Sequence, residues 1–266
     1  SFPTRRSSDL AALLLTVFGT GLVCDVLALT IRSRRVRRVL GSIRVALPDL
    51  MSLFLPQRTA DVLPRAPLGP VPQQGTEEFE LLFQTSAHGI GLVGHCELCF
   101  DGRTLTYGAY DPAHQRLLRT VGAGIVFSAP REPYLRWCIG THHRRVISYS
   151  LRLPPAQAAQ LRAELERFRQ TLSPWQPEAL PEDCFAGRLR RLGGVRFWRV
   201  QRGPYATYFI PTINCVSLTN ELLEKTDIGR TVMLGLKTPG AYLDLLEREY
   251  LAGNPAVTAR RVYDRI

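Results

Sequence analysis

The sequence predicts an α+β domain, an antiparallel sheet packed on helices, behind an N-terminal transmembrane helix. Three observations support this. Strand-like runs joined by a tight-turn signal fill residues 79–153, helical periodicity appears in separate segments after them, and an apolar run occupies residues 10–31. Strands and helices do not alternate strictly, which favours an α+β over a parallel α/β architecture.

Composition is that of a folded protein, and the charge is strongly basic. Of the 266 residues, 45% are hydrophobic and 21% are charged, with a formal net charge of +11. Arginines are concentrated directly after the apolar run, where basic residues set membrane topology. No nucleic-acid partner is expected, because the excess of basic residues is accompanied by no nucleic-acid-binding motif and by no interleaved aromatic residues. An anionic lipid surface remains a possible partner for this charge.

The N-terminal part of the chain is predicted to contain a membrane anchor. Residues 1–9 lack an initiator Met and resemble translated sequencing adapter, so they are set aside as a probable artefact. Residues 10–31 carry one charged residue, Asp25, and as a helix rising about 1.5 Å per residue would cross a bilayer. Residues 32–76 are a basic amphipathic segment followed by a Pro-rich linker.

Residues 77–266 are predicted to form the globular domain. Asp101-Gly102 lies between two strand-like runs and is a strong hairpin signal. Asp111 is interpreted as the cap of a turn. The predicted strands are residues 79–85, 92–100, 104–107, 122–128 and 144–153, and the predicted helices are residues 156–172, 216–225 and 241–250.

The cysteines show no disulfide framework. Cys96 and Cys99 form a C-x-x-C, a spacing that occurs in zinc sites and in redox-active pairs. A zinc site needs a second pair of ligands, and the adjacent His142 and His143 would point to opposite sides of a strand. Cys96 and Cys99 would also face opposite sides. They are interpreted as small apolar core residues, and no metal and no cofactor are expected.

Cys215 is the first candidate for chemistry. Thr212 and Asn214 are good N-cap residues, which places Cys215 in the first turn of a helix. Free N–H groups and the helix dipole favour a thiolate there, and the thiolate is the nucleophilic form. Considered on its helix position alone, Cys215 has an alternative interpretation as a buried structural cysteine.

His95 is the second candidate, because it begins the strand that ends at the Asp101-Gly102 turn. In that hairpin, the position opposite His95 is expected near Tyr107. A polar group there could orient the imidazole, as the third member of a Cys–His–polar arrangement.

The motifs together resemble a known superfamily. Gly-His-x-x-Leu-x-Phe-Asp-Gly, then Thr-Tyr-Gly-Ala-Tyr-Asp, then a distant Asn-Cys opening a helix, resemble circularly permuted papain-like proteins. These include the NlpC-type peptidases and the lecithin:retinol acyltransferase-like group, and bacterial envelope domains are the nearest in appearance. The resemblance implies that His95 is the general base, Cys215 the nucleophile and Tyr107 the orienting residue. The third residue in the family is His, Asn or Gln, from which Tyr107 departs.

The expected function is that of a membrane-tethered cysteine hydrolase or acyltransferase acting on an amide or ester of a peptide or acyl lipid. The alternative is a catalytically inert domain of the same fold that binds peptide or lipid at the membrane. Arginines after the apolar run indicate a cytoplasmic domain, whereas the resemblance implies the cell envelope. The extracytoplasmic side is slightly favoured.

Overall fold

The computed structural model describes residues 59, 63, 65–66, 78–85, 94–117, 120–176, 180–210, 212–224 and 238–264. The predicted transmembrane segment, residues 10–31, lies outside these residues. Within the part of the chain that is described, no helix is long and apolar enough to span a bilayer.

Eleven strands and five α-helices make up the described fold. The strands are β1 (Arg65–Ala66), β2 (Glu78–Thr85), β3 (His95–Phe100), β4 (Arg103–Gly108), β5 (Val121–Ala123), β6 (Ile125–Pro130), β7 (Arg145–Arg152), β8 (Leu172–Pro174), β9 (Arg196–Val200), β10 (Thr207–Phe209) and β11 (Val257–Tyr263). The helices are α1 (Arg131–Gly140), α2 (Pro155–Gln170), α3 (Phe185–Arg190), α4 (Cys215–Glu224) and α5 (Pro239–Leu251).

Nine of these strands form one sheet in the order β1-β11-β7-β2-β3-β4-β6-β9-β8. Every neighbouring pair is antiparallel except β1 and β11, which are parallel. Strands β5 and β10 form a separate antiparallel pair. The prediction of a mainly antiparallel sheet packed on helices is therefore confirmed.

Helices cover both faces of the sheet. Because side chains alternate along a strand, each strand supplies one set of apolar residues to each face. The face called the Cys215 face packs against α2, α4 and α5, and its core includes Phe83, Cys96, Leu98, Cys215 and Leu243. The face called the His95 face packs against α1 and α3, and its core includes Leu82, Cys99, Phe127, Tyr134 and Leu189.

Two residues, Asp101 and Gly102, form the tight turn between β3 and β4. Asp101 and Gly102 have φ values of 48° and 71°, the left-handed values that a two-residue type I′ hairpin needs at both central positions. The predicted hairpin is thus confirmed, and it places β3 and β4 side by side. Asp111 also acts as predicted, because its Oδ1 accepts the N–H of Ala113 and begins a short 3-10 turn.

Helix α1 was not predicted from the sequence. The helix has a low overall hydrophobicity, and a buried polar network ties it to the sheet. The Arg131 guanidinium bonds both oxygens of Glu80 on β2, one at 2.8 Å, and also reaches the hydroxyl of Tyr263 on β11. Ser148 on β7 donates to the same carboxylate at 2.8 Å. The apolar residues Tyr134, Leu135, Cys138 and Ile139 nevertheless recur at helical spacing, so a signal for this helix was present in the sequence.

The sheet also takes up part of the predicted linker. Arg65 and Ala66 lie inside residues 32–76, yet their backbone pairs with Val262 and Tyr263 of β11. Leu63 packs against the core of the Cys215 face. The folded unit of the described residues therefore begins before residue 77.

Candidate functional site

Cys215 is the first residue of α4, as predicted. Asn214 precedes it, and its Oδ1 accepts the N–H groups of Val216 and Ser217, both at 3.0 Å. The Ser217 hydroxyl bonds back to the N–H of Asn214 at 2.8 Å. This reciprocal capping satisfies backbone donors that a helix start leaves without partners, and it places the Cys215 side chain against the sheet.

The Cys215 thiol is buried among backbone donors. Its Sγ accepts the N–H of Cys96 at 3.3 Å, and the side chain is 3% exposed. Burial raises the pKa of Cys215 to about 12, although the backbone N–H groups of Cys96, Val216 and Cys215 itself act in the opposite direction. Burial is the larger effect, so the thiol is protonated at neutral pH.

The His95 imidazole contacts two side-chain hydroxyl groups. Its Nε2 is 2.6 Å from Thr106 Oγ1 and 3.0 Å from the Tyr110 hydroxyl, and these two hydroxyls lie 3.1 Å apart. The side chain is 18% exposed. Burial, helped by the positive charge of Arg144, lowers the pKa of His95 to about 3, so the ring is neutral under ordinary conditions.

Glu97 is a buried carboxyl group beside this imidazole. Its Oε1 accepts the Tyr134 hydroxyl at 2.6 Å and lies 3.8 Å from His95 Nε2. Gln84 donates to the Tyr134 hydroxyl at 2.9 Å, and Arg144 donates to Gln84 at 2.6 Å. Burial raises the pKa of Glu97 to about 7, against the hydrogen bond from Tyr134.

The structure does not bring His95 and Cys215 together. Cys96 belongs to the Cys215 face, and its neighbours His95 and Glu97 must point to the other face because strand side chains alternate. The partners of His95 agree, since Tyr110 packs on Phe127 in the core of the His95 face. No hydrogen bond joins the imidazole to the thiol in the part of the chain that is described, although the Cys215 sulfur accepts the N–H of Cys96, the residue next to His95.

Tyr107 also lies away from His95. Leu98 is opposite Leu105 in the β3–β4 pair, so counting along the strands places Gly108 opposite His95, and Tyr107 opposite Cys96. A register offset of one residue moves a side chain to the other face. Tyr107 is on the Cys215 face, where its hydroxyl donates to the carbonyl of Tyr205 at 2.9 Å.

A groove of about 860 Å³ opens beside α4, on the Cys215 face of the sheet. Strand β8, the 3-10 turn at Pro204–Ala206 and helices α2 and α4 surround it. Apolar side chains line its floor: Phe168, Val200, Leu218 and Leu222. Charged side chains of both signs lie along it: Glu164, Arg167, Arg202 and Glu221. The Tyr205 hydroxyl donates to Glu221 at 2.7 Å and thereby fixes one wall.

The sequence missed Thr106, Tyr110 and Glu97 as partners of His95. A signal for Glu97 was present, because a residue two positions after His95 on a strand shares its face. Tyr110 lies beyond the end of β4, where strand alternation gives no guidance.

Metal binding has no support in the described residues, among which no group of three or more His, Cys, Asp or Glu side chains could hold an ion. Comparisons with protein-family models, with curated proteins and with solved structures found no match for this chain. The site must therefore be interpreted from its own geometry.

Proposed function

We propose that this chain carries a permuted papain-like domain that binds peptide and does not use Cys215 and His95 as a catalytic pair. One observation carries the proposal: His95 Nε2 is bonded to the hydroxyls of Thr106 and Tyr110, and no hydrogen bond joins the imidazole to the Cys215 thiol among the described residues. The order of a His-bearing strand before a Cys-bearing helix, and the packing of that helix on the strand, support the fold assignment.

A working thiol–imidazole pair needs the base within hydrogen-bond reach of the nucleophile. Here, His95 Nε2 contacts the hydroxyls of Thr106 and Tyr110, and the Cys215 sulfur accepts the backbone N–H of Cys96. Both groups are also neutral, because burial raises the pKa of the thiol to about 12 and lowers that of the imidazole to about 3. Neither group is poised to transfer a proton at neutral pH.

The groove supports peptide as the ligand class. Its volume lies within the range of sites for small ligands, and its apolar floor suits side chains. Charges of both signs suit a peptide better than an anionic lipid surface, which Glu164 and Glu221 would repel. Strand β8 ends the sheet, and an extended peptide can pair with such an edge. The predicted anchor at residues 10–31 would hold the groove near a membrane.

The rates at which the cysteines are alkylated test whether Cys215 and His95 act as a catalytic pair. At pH 7, iodoacetamide should modify the partly exposed Cys184 before the buried Cys215, because a buried protonated thiol reacts slowly. The substitution His95→Ala should leave the Cys215 rate unchanged within about twofold. Mass spectrometry of digested peptides gives both rates. Cys215 reacting faster than Cys184, and slowing in His95→Ala, would reject the proposal.

Selection from a peptide library tests whether the groove binds peptide. A random peptide library displayed on phage should yield sequences that bind the protein, and Arg202→Glu at the groove should weaken the selected peptides at least tenfold. The matched control is Arg196→Glu, an exposed arginine on β9 outside the groove, which should leave binding unchanged. Equal losses in both variants, or binding to anionic vesicles and to no peptide, would contradict a peptide groove.

A thiol hydrolase or acyltransferase is the second candidate, and one feature favours it. Backbone N–H groups of Cys96, Cys215 and Val216 surround the Cys215 sulfur, which is the arrangement that stabilises a thiolate or an oxyanion. This candidate requires a ring nitrogen of His95 to come within hydrogen-bond reach of the Cys215 sulfur, and Nδ1 can do so while Nε2 keeps its contacts with Thr106 and Tyr110. The same alkylation experiment distinguishes it, because a catalytic Cys215 would be the fastest cysteine and would depend on His95.

A further inference from the structure

A second cavity lies on the Cys215 face of the sheet, between helices α4 and α5. Its volume is about 180 Å³, and strands β2, β7 and β11 contribute to its lining. An engineered apolar cavity of about 150 Å³ in another protein stays free of water and binds benzene. The space in this protein is therefore large enough for a molecule slightly bigger than benzene.

The inner wall of this cavity is apolar and buried. Phe79, Leu153, Leu223 and Leu246 line it, and each is between 1% and 5% exposed. The outer end is more polar, because the partly exposed side chains of Gln157 and Asn254 belong to the same lining. A ligand would thus pass polar groups on entry and then rest against an apolar wall, which is the usual arrangement of a small-molecule site.

Tyr242 of α5 also lines the cavity. Its side chain is 6% exposed, and its ring packs edge-to-face on Phe83 with the ring centroids 6.0 Å apart. Among the described residues, the Tyr242 hydroxyl makes no hydrogen bond. Burial raises the pKa of Tyr242, so the hydroxyl is neutral and can both donate and accept. A buried hydroxyl without a partner is unfavourable, and a ligand that supplies the partner removes this cost.

We propose that this cavity binds a small uncharged molecule that joins an aromatic or short aliphatic body to one hydroxyl group. The body packs against the apolar wall formed by Phe79, Leu153, Leu223 and Leu246, and the ligand hydroxyl forms a hydrogen bond with the hydroxyl of Tyr242. A charged ligand is disfavoured, because that wall would remove its charge from water and offers no ion partner in return.

The cavity is separate from the groove proposed for peptide. Both spaces border α4, but Asn220 and Leu223 line the cavity, whereas Leu218, Glu221 and Leu222 line the groove. The two linings share no residue among those described. Either proposal can therefore fail without the other.

Titration of the full chain with p-cresol and with toluene tests the site, because these two probes differ by one hydroxyl group. Backbone amide NMR signals should shift saturably at Leu153, Asn220 and Leu246 and stay unchanged at the groove residues Ser173 and Gln201. We expect p-cresol to bind about fivefold more tightly than toluene, which corresponds to one net hydrogen bond. Shifts that do not saturate with either probe, or that are centred away from the cavity, would overturn the proposal.

The variant Tyr242→Phe keeps the ring and removes only the hydroxyl, which has no hydrogen bond to lose in the described fold. It should bind toluene as tightly as wild type does, and its preference for p-cresol should fall below about twofold. The matched control is Tyr250→Phe, on the same helix but outside the cavity lining, which should keep the wild-type preference. Partition of the probes into detergent or lipid is the same for every variant and cancels in the comparison. An unchanged preference in Tyr242→Phe would overturn the proposal.

Discussion

Burial holds the pKa of Glu97 above its ordinary value, against the opposing effects of its hydrogen-bond partners and of Arg144. The side chain is fully buried on the His95 face between β3 and α1, and its Oε2 has no hydrogen-bond partner among the described residues. Burial raises its pKa from 4.5 to about 7, so the folded state holds this proton more tightly than the unfolded state does. Stability therefore falls as the pH rises from about 4.5 through 7, and changes no further above that.

The substitution Glu97→Gln removes this pH dependence. The pKa difference corresponds to about 3 kcal/mol of unfolding free energy as an upper value, since a pKa unit is worth 1.36 kcal/mol. Glu97→Gln should be more stable than wild type at pH 8 and close to it at pH 4. Urea unfolding at both values measures the difference.

The control for this prediction is Glu166→Gln, because Glu166 is an exposed carboxyl group on α2. Because Arg169 lowers the pKa of Glu166, Glu166→Gln should gain no stability over wild type at pH 8, in contrast to Glu97→Gln. His95 is unchanged in both variants, so its own lowered pKa, which makes the fold less stable as the pH falls from 6.5 toward 3, cancels in the comparison. A constant Glu97→Gln effect from pH 4 to pH 8 would contradict a protonated Glu97.

For individual residues, the sequence predicted where helices and strands begin better than it predicted which side chains are in contact. Cys215 begins α4 and His95 begins β3, as expected from the caps and the hairpin signal. The expected contact among His95, Cys215 and Tyr107 depended on register and on the facing of side chains. An offset of one residue decides both of these, and local sequence carries little information about it.

Helix α4 depends on a single capping residue. Asn214 accepts two backbone N–H groups through Oδ1 and donates to the carbonyl of Ile210 at 2.8 Å. Asn214→Ala should lower the unfolding free energy by about 1–2 kcal/mol, because those donors lose their partner in a buried setting. Thermal or urea unfolding measures this.

The matched control for the cap is Asn214→Ser, which keeps an accepting side-chain oxygen and loses the donor to Ile210. It should retain more than half of the stability that Asn214→Ala loses. If the two variants lose the same amount, the accepting oxygen is not what stabilises the start of α4.

Three of the five described α-helices were predicted. The predicted segments 156–172, 216–225 and 241–250 correspond to α2, α4 and α5 within a few residues at each end. Helix α1 was missed although its buried apolar residues recur at helical spacing, whereas α3 and strands β9 and β11 are short and rich in arginine. Their places in the fold come from partners far away in sequence, such as Glu80 for Arg131.

At the scale of the molecule, strand β1 gives a testable boundary. A fragment of residues 59–266 should unfold at a higher temperature than a fragment of residues 77–266, because only the longer one retains the pairing of Arg65 and Ala66 with β11 and the packing of Leu63. Calorimetry of both fragments measures this. Equal melting temperatures would mean that β1 adds no stability to the sheet.

The membrane anchor stays a prediction, since residues 10–31 lie outside the described structure. Full-length protein should remain with membranes in high salt and be released by detergent, because an apolar span is held by burial and not by charge. The fragment of residues 59–266 should stay in the supernatant. Release of the full-length protein by salt alone would indicate peripheral attachment through the arginines.

The position of β11 has a consequence for synthesis on the ribosome. Residues 257–263 insert between β1 and β7, although about a hundred residues separate them from β7 and about two hundred from β1. Until β11 leaves the exit tunnel, one edge of β7 has unpaired backbone groups that can pair with another chain. A nascent chain of this protein should therefore be a client for chaperones until β11 emerges.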